Sequence, residues 1–207
     1  DVQVTLSVPD GMKAEVLGRS NSESGTERLI VPLGALQNET ERVFVFKVAC
    51  SPAVRDQTFK FHVTAIGKSA GDGSMRETGA VTAALVATGG TANSSQARDT
   101  GIAEVVARTW SAQVVSKAAR MNRDGAFEEA KRYIQHELRH FHRYVEGLRN
   151  GPEMVRDLNL LAGRVGREFS SRMRKEMVLE SALFMESRVD RRGAGKASWS
   201  VRLERGD

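Results

Sequence analysis

The chain has 207 residues, 40% hydrophobic and 28% charged, an ordinary globular composition that excludes wholesale disorder and suits one or two domains. Its net charge of +5 is uneven: residues 1–100 carry about −1 and residues 101–207 about +6, as expected of a solvated basic helix surface or of a site for an acidic partner or nucleic acid. No apolar run approaches the ~18 residues that span a bilayer, and no charged segment followed by an apolar stretch marks a signal peptide.

Val2, Val4, Leu6 and Val8 alternate with Gln3, Thr5 and Ser7, the period-two pattern of a half-buried strand. Pro9-Asp10-Gly11 turns the chain, and residues 13–18 predict a second short strand. Residues 20–26 are a polar loop, residues 29–33 resume a strand, and residues 34–41 connect onward. Residues 43–50 are apolar on both faces (Val43, Phe44, Val45, Phe46, Val48), which predicts a central strand buried on two sides and ended by Pro52. Over residues 57–66, Phe59, Phe61, Val63 and Ala65 are expected inward, with Thr58, Lys60, His62 and Thr64 outward. A glycine-rich turn then leads to a last strand over residues 76–88, with Val81, Ala83, Leu85 and Ala87. Short strands at this spacing predict an antiparallel β-sandwich over residues 1–90.

Residues 91–98 are mostly small and polar and read as a linker. Everything after them has helical periodicity. A helix over residues 99–121 carries the ladder Ile102, Val106, Trp110, Val114 and Ala118, and Gly125 is its natural stop. A second helix over residues 126–149 carries Phe127, Ala130, Ile134, Leu138, Phe141, Val145 and Leu148 at spacings of three and four. A third, long helix over residues 152–188 opens on Pro152 and carries Met154, Leu158, Leu161, Val165, Phe169, Met173 and Met177. Short connections imply an antiparallel bundle of about three helices over residues 99–188. In the basic tail, residues 189–207, Trp199, Val201 and Leu203 alternate, so an extra strand and a disordered end are both open. The expected fold class is α+β, a sandwich followed by a helical bundle. The chain opens on Asp1 rather than Met, which predicts a piece of a longer protein.

Three stretches carry a family resemblance: residues 2–18 (VQVTLSVPDGMKAEVLG), 31–48 (VPLGALQNETERVFVFKV) and 118–138 (AARMNRDGAFEEAKRYIQHEL). Together they resemble the region that follows the A domain in proteins with a von Willebrand factor type A domain. The family's metal site is an Asp-x-Ser-x-Ser motif of the A domain itself. No such motif occurs here, so no metal role carries over. The resemblance implies an accessory β-sandwich and helical segment that supports an A domain in an adhesion or assembly platform.

One motif argues for an enzyme. Residues 136–140 read His-Glu-Leu-Arg-His, the HExxH pattern of zinc peptidases, on a predicted helix. Two His at i and i+4 share a face and can bind one Zn²⁺, and Glu137 would be the general base on the zinc-bound water. Three features weigh against catalysis. At about 100° per residue, His136 and His140 lie nearly opposite the apolar stripe, toward solvent. Arg139 places a positive charge inside the motif. No third ligand is indicated: His142 is about 200° round the helix from His140, and Glu146, Glu153 and Glu168 sit in no partner motif.

No other constellation forces a reaction. Gly71-Asp72-Gly73 lacks the sequel of a phosphate loop. His62 is expected on an outward strand face. Cys50, the only cysteine, permits no intrachain disulfide, is expected as a small buried hydrophobe, and suits a reducing, cytoplasmic setting. Met154, Met173, Met177 and Met185, with Trp110, are expected as helix core. The resulting expectation is a non-catalytic accessory or scaffold module without a cofactor. Its expected partners are the missing A domain, other subunits or an acidic protein surface, met by Arg167, Arg172, Arg174 and Lys175. The alternatives are a zinc metallopeptidase using His136, His140 and Glu137, and nucleic-acid binding by the basic half.

Overall fold

The computed structural model describes residues 1–18, 23–24, 27–36, 42–50, 52–69, 71–185 and 198–205, and the protein is mixed α+β with antiparallel sheets and several helices. Two compact units divide it: residues 1–41 with 46–97, and residues 42–45 with 98–207.

The first unit holds the strands β1 (Val2–Ser7), β2 (Lys13–Val16), β3 (Glu23–Ser24), β4 (Arg28–Gly34), β5 (Phe46–Ala49), β6 (Thr58–Lys68), β7 (Met75–Glu77) and β8 (Val81–Val86). The larger sheet runs β3-β4-β1-β6-β7, and β8 also pairs with β6; β2 and β5 form a separate two-stranded sheet. The alternation in β1 places Leu6 opposite Leu29 of β4 and Val63 of β6. Leu6, Val8, Met12, Val16, Leu29, Val31 and Phe61 are the buried apolar side chains of this unit.

Two expectations for this half are corrected. The stretch 43–50 is not a central strand: β5 begins at Phe46, among the described residues pairs only with β2, and leaves Lys47, Ala49 and Cys50 exposed. A two-stranded ribbon cannot bury both its faces, and Lys47 opposite Glu15 makes a 3.0 Å ion pair on the wet one. The last strand is interrupted. Three steps along β6, from Ile66 to Val63, match four steps from Glu77 to Val81, so the partner strand carries one extra residue, a bulge. There Thr78 donates its N–H to the Ala65 carbonyl and accepts the Ala65 N–H on its side-chain oxygen. The linker region contains one short helix, α1 (Gly90–Ser94), with no buried residue.

The second unit holds α2 (Thr100–Arg123), α3 (Phe127–Tyr144), α4 (Gly151–Arg164), α5 (Ser171–Met185) and α6 (Ser198–Arg205). Asp99 caps α2 by accepting the Ile102 N–H at 2.9 Å. Gly125, at φ 77°, ends it, and the Ala126 N–H returns to the Met121 carbonyl. The buried face of α2 is Ala103, Ala107, Val114, Val115, Ala118 and Ala119, whereas Ile102 is 64% exposed. The predicted ladder is therefore turned by about one residue at its start. Small side chains face inward there, which lets α2 lie closely along α5.

The predicted third helix is two helices. Asn122 of α2, 1% exposed, explains the break. Its amide N–H groups donate to the carbonyls of Val165 (3.1 Å) and Arg167 (2.8 Å), and its oxygen accepts the Phe169 N–H (3.0 Å). These are backbone groups that a continuous helix would have paired internally, so the turn is supported by one side chain. The tail is neither strand nor disordered over residues 198–205. It is α6, with Trp199 and Leu203, one helical turn apart, 5% and 3% exposed in the core against α4 and α5. Residues 186–197, which include the expected end of the third helix, lie outside the described residues, as do 19–22, 25–26 and 37–41 of the two predicted loops.

Candidate functional site

The HELRH segment lies on α3, whose inward face buries Ala130, Ile134 and Phe141. His136 and His140 are exposed, with ring centroids 5.2 Å apart and planes at 65°. Glu137 is about 100° further round the helix, and its carboxylate accepts the indole N–H of Trp110 at 2.7 Å. Trp110 meets Phe141 edge-on at 5.3 Å and Tyr144 at 5.7 Å. Beside them, burial first and the Glu137 charge second push the Tyr133 phenol well above its usual range, and Lys117 Nζ stands 4.3 Å over that ring. Arg98 lies 4.1 Å over the Tyr144 ring and donates to its carbonyl at 2.6 Å.

This arrangement separates the motif's parts. A zinc peptidase needs its glutamate beside the metal-bound water, but Glu137 is engaged across the α2–α3 seam. Arg139 Nη2 stands 3.1 Å from His136 Nδ1, inside the would-be site. His142 and Glu146 are exposed, Glu153 pairs with Arg156, and Glu168 pairs with Arg174. Among the described residues no three His, Cys, Asp or Glu side chains gather as a metal centre would need.

The predicted basic cluster is also divided. Arg174 is half-buried, donates to the Phe169 carbonyl at 2.7 Å and pairs with Glu168 at 3.3 Å, so it braces the turn between α4 and α5. Arg172 pairs with Glu176 at 3.3 Å. The other Glu176 oxygen lies 2.6 Å from Arg202 Nε of α6, a close ionic contact not aligned as a hydrogen bond. Arg167 and Lys175 are exposed. Met173 and Met177 are core, Met154 is packed against it, and Met185 is partly buried.

One feature escaped the sequence reading. All six residues of β8 are exposed, with Val81 at 70%, Leu85 at 50% and Val86 at 53%. Ala87 donates its N–H to the Gln57 carbonyl, so the antiparallel alternation turns the N–H groups of Thr82, Ala84 and Val86 toward the open edge. No charged residue lies between Glu77 and Arg98. Sheet edges are commonly guarded by lysine, proline or inward charge. The missing charge was the available sequence signal. His62, on neighbouring β6, shares a 2.9 Å hydrogen bond with the Thr82 hydroxyl.

No family model, no curated protein and no solved structure matches the chain. The resemblance to A-domain proteins thus rests on the quoted stretches alone. Among the described residues, no helix is long and apolar enough to cross a membrane.

Proposed function

We propose that the chain is a non-catalytic interaction module, an accessory or scaffold part of a larger protein. In this reading the two sheets form a sandwich-type unit, followed by a helical bundle. The observation that carries it is the β8 edge: an exposed, uncharged strand with outward backbone N–H groups is the surface an extended partner segment extends. Exposed Arg167 and Lys175 offer a second, basic contact for an acidic partner. An accessory role beside an A domain fits the same picture. The peptidase reading is disfavoured because Glu137 serves the Trp110 contact. Nucleic-acid binding is less favoured because Phe169, the aromatic residue among Arg167, Arg172, Arg174 and Lys175, is 7% exposed and offers no face for a base to stack on.

Ala84→Pro tests the edge directly. It deletes an outward N–H and none of the bonds to β6, because edge strands tolerate proline on the solvent side. Ala84→Lys adds the missing guard charge. Partners captured by the wild-type chain and identified by mass spectrometry are expected to drop out with both variants, while circular dichroism stays unchanged. Arg167→Ala with Lys175→Ala is expected to weaken capture further. An unaltered partner set in all these variants, or peptide hydrolysis by zinc-supplemented wild type that Glu137→Gln abolishes, would sink the proposal.

A further inference from the structure

The two histidines remain when the catalytic reading is set aside, and their spacing has its own chemistry. A metal bound by imidazole nitrogen at ~2.0–2.1 Å lies about 3.2 Å from the ring centre, so two imidazoles at a tetrahedral angle on one ion have centres about 5.2 Å apart. The rings of His136 and His140 are 5.2 Å apart, both exposed, on one face of a well-formed helix. That separation matches the chelating one; the rings now meet edge-on, so it is the side chains that turn about their own torsions, with α3 unmoved, to aim one nitrogen each at the ion.

We propose that His136 and His140 form a two-imidazole site for a divalent first-row transition cation, with copper preferred over nickel and zinc by the usual affinity order. The remaining positions face solvent and are filled by water. The site binds without hydrolysing, because the only carboxylate within the motif is turned to Trp110. Its surroundings are basic. Arg139 touches His136, Arg143 is exposed one turn beyond on the same face, and Arg132 on that face is paired with Glu129 at 3.3 Å. The Arg139 contact occupies Nδ1 of His136 and opposes a nearby cation, so the incoming metal displaces that guanidinium. Arg139 therefore acts as a brake on the site.

The test is titration of the tag-free full chain with CuCl2, then NiCl2 and ZnCl2, followed by calorimetry and, for copper, electron paramagnetic resonance. One copper per chain is expected, with a two-nitrogen signature. His136→Ala and His140→Ala should each raise the half-saturating concentration about ten-fold or more, since even an outer-shell partner of a metal ligand is worth ~10–100-fold. His142→Ala and His62→Ala should leave it unchanged. Arg139→Ala should lower it several-fold. All five positions are exposed, and circular dichroism checks that each variant folds. Half-saturation only at millimolar metal, binding that survives the His136→Ala, His140→Ala double variant, or equal loss with His142→Ala would overturn the proposal.

Discussion

Replacing Asn122 with alanine removes three hydrogen bonds at once from the interior of the helical unit: two donated to the carbonyls of Val165 and Arg167, and one accepted from the Phe169 N–H. A typical bond contributes ~1 kcal/mol, and a buried donor left without a partner costs ~1–3 kcal/mol. Asn122 is 1% exposed and Phe169 7%, so water does not readily take over. The loss should be about 4 kcal/mol, a large share of the ~5–15 kcal/mol that holds a domain together. At a urea slope of ~2 kcal/mol/M that moves the unfolding midpoint by about 2 M. Trp110 and Trp199 are the chain's two tryptophans and both lie in the helical unit, so their fluorescence follows this unit alone. Asn122→Asp retains the acceptor but loses both donors and buries a charge, and should be no milder than alanine. A loss under ~1 kcal/mol for Asn122→Ala, at unchanged slope, would refute the idea that this side chain sustains the break between α4 and α5.

Trp199→Ala, at a site 5% exposed, should cost the helical unit ~3–5 kcal/mol by urea unfolding followed through Trp110, whereas a peripheral tail would cost almost nothing. At Gly151 an added Cβ would collide with the Val145 carbonyl oxygen and stand 3.1 Å from Val145 Cβ, so Gly151→Ala should lower stability by ~1–3 kcal/mol in the same assay. The Tyr133 phenol is raised from the ordinary 10.0, so its contribution to stability is complete below that pH and is lost as the pH rises above it. The phenolate absorbance missing from Tyr133→Phe should therefore appear near pH 10 in urea but only at higher pH in the folded chain. Its appearance near pH 10 in both would remove the burial argument.

Local periodicity was a good guide wherever one face of an element is buried. The alternation of β1 and β6, the Gly125 stop and the stripe of α3 are all written in side-chain order. It failed where the same residues satisfy two periods or where pairing decides burial. Trp199, Val201 and Leu203 alternate like a strand, yet Trp199 and Leu203 are also one helical turn apart, and the core against α4 and α5 selects the helix. Residues 43–50 have the composition of a buried strand, but among the described residues only 46–49 form one, with β2 as partner, so one side stays wet.

The candidate site divides along the same line. Sequence alone determined that His136 and His140 share a helical face and that Arg139 intrudes on it, because residues four apart on a helix are neighbours whatever surrounds them. Only the tertiary structure decided where Glu137 goes: Trp110 is 27 residues away along the chain, and α2 packing against α3 brings its N–H to that carboxylate. It likewise decided that Asn122 supports a turn 43 to 47 residues downstream, and that β8 stands at an edge rather than inside the sheet. Helical and strand periods are set by local backbone geometry, which a sequence displays; the partners of a side chain and the last strand of a sheet are set by which distant segments pack together, which it does not.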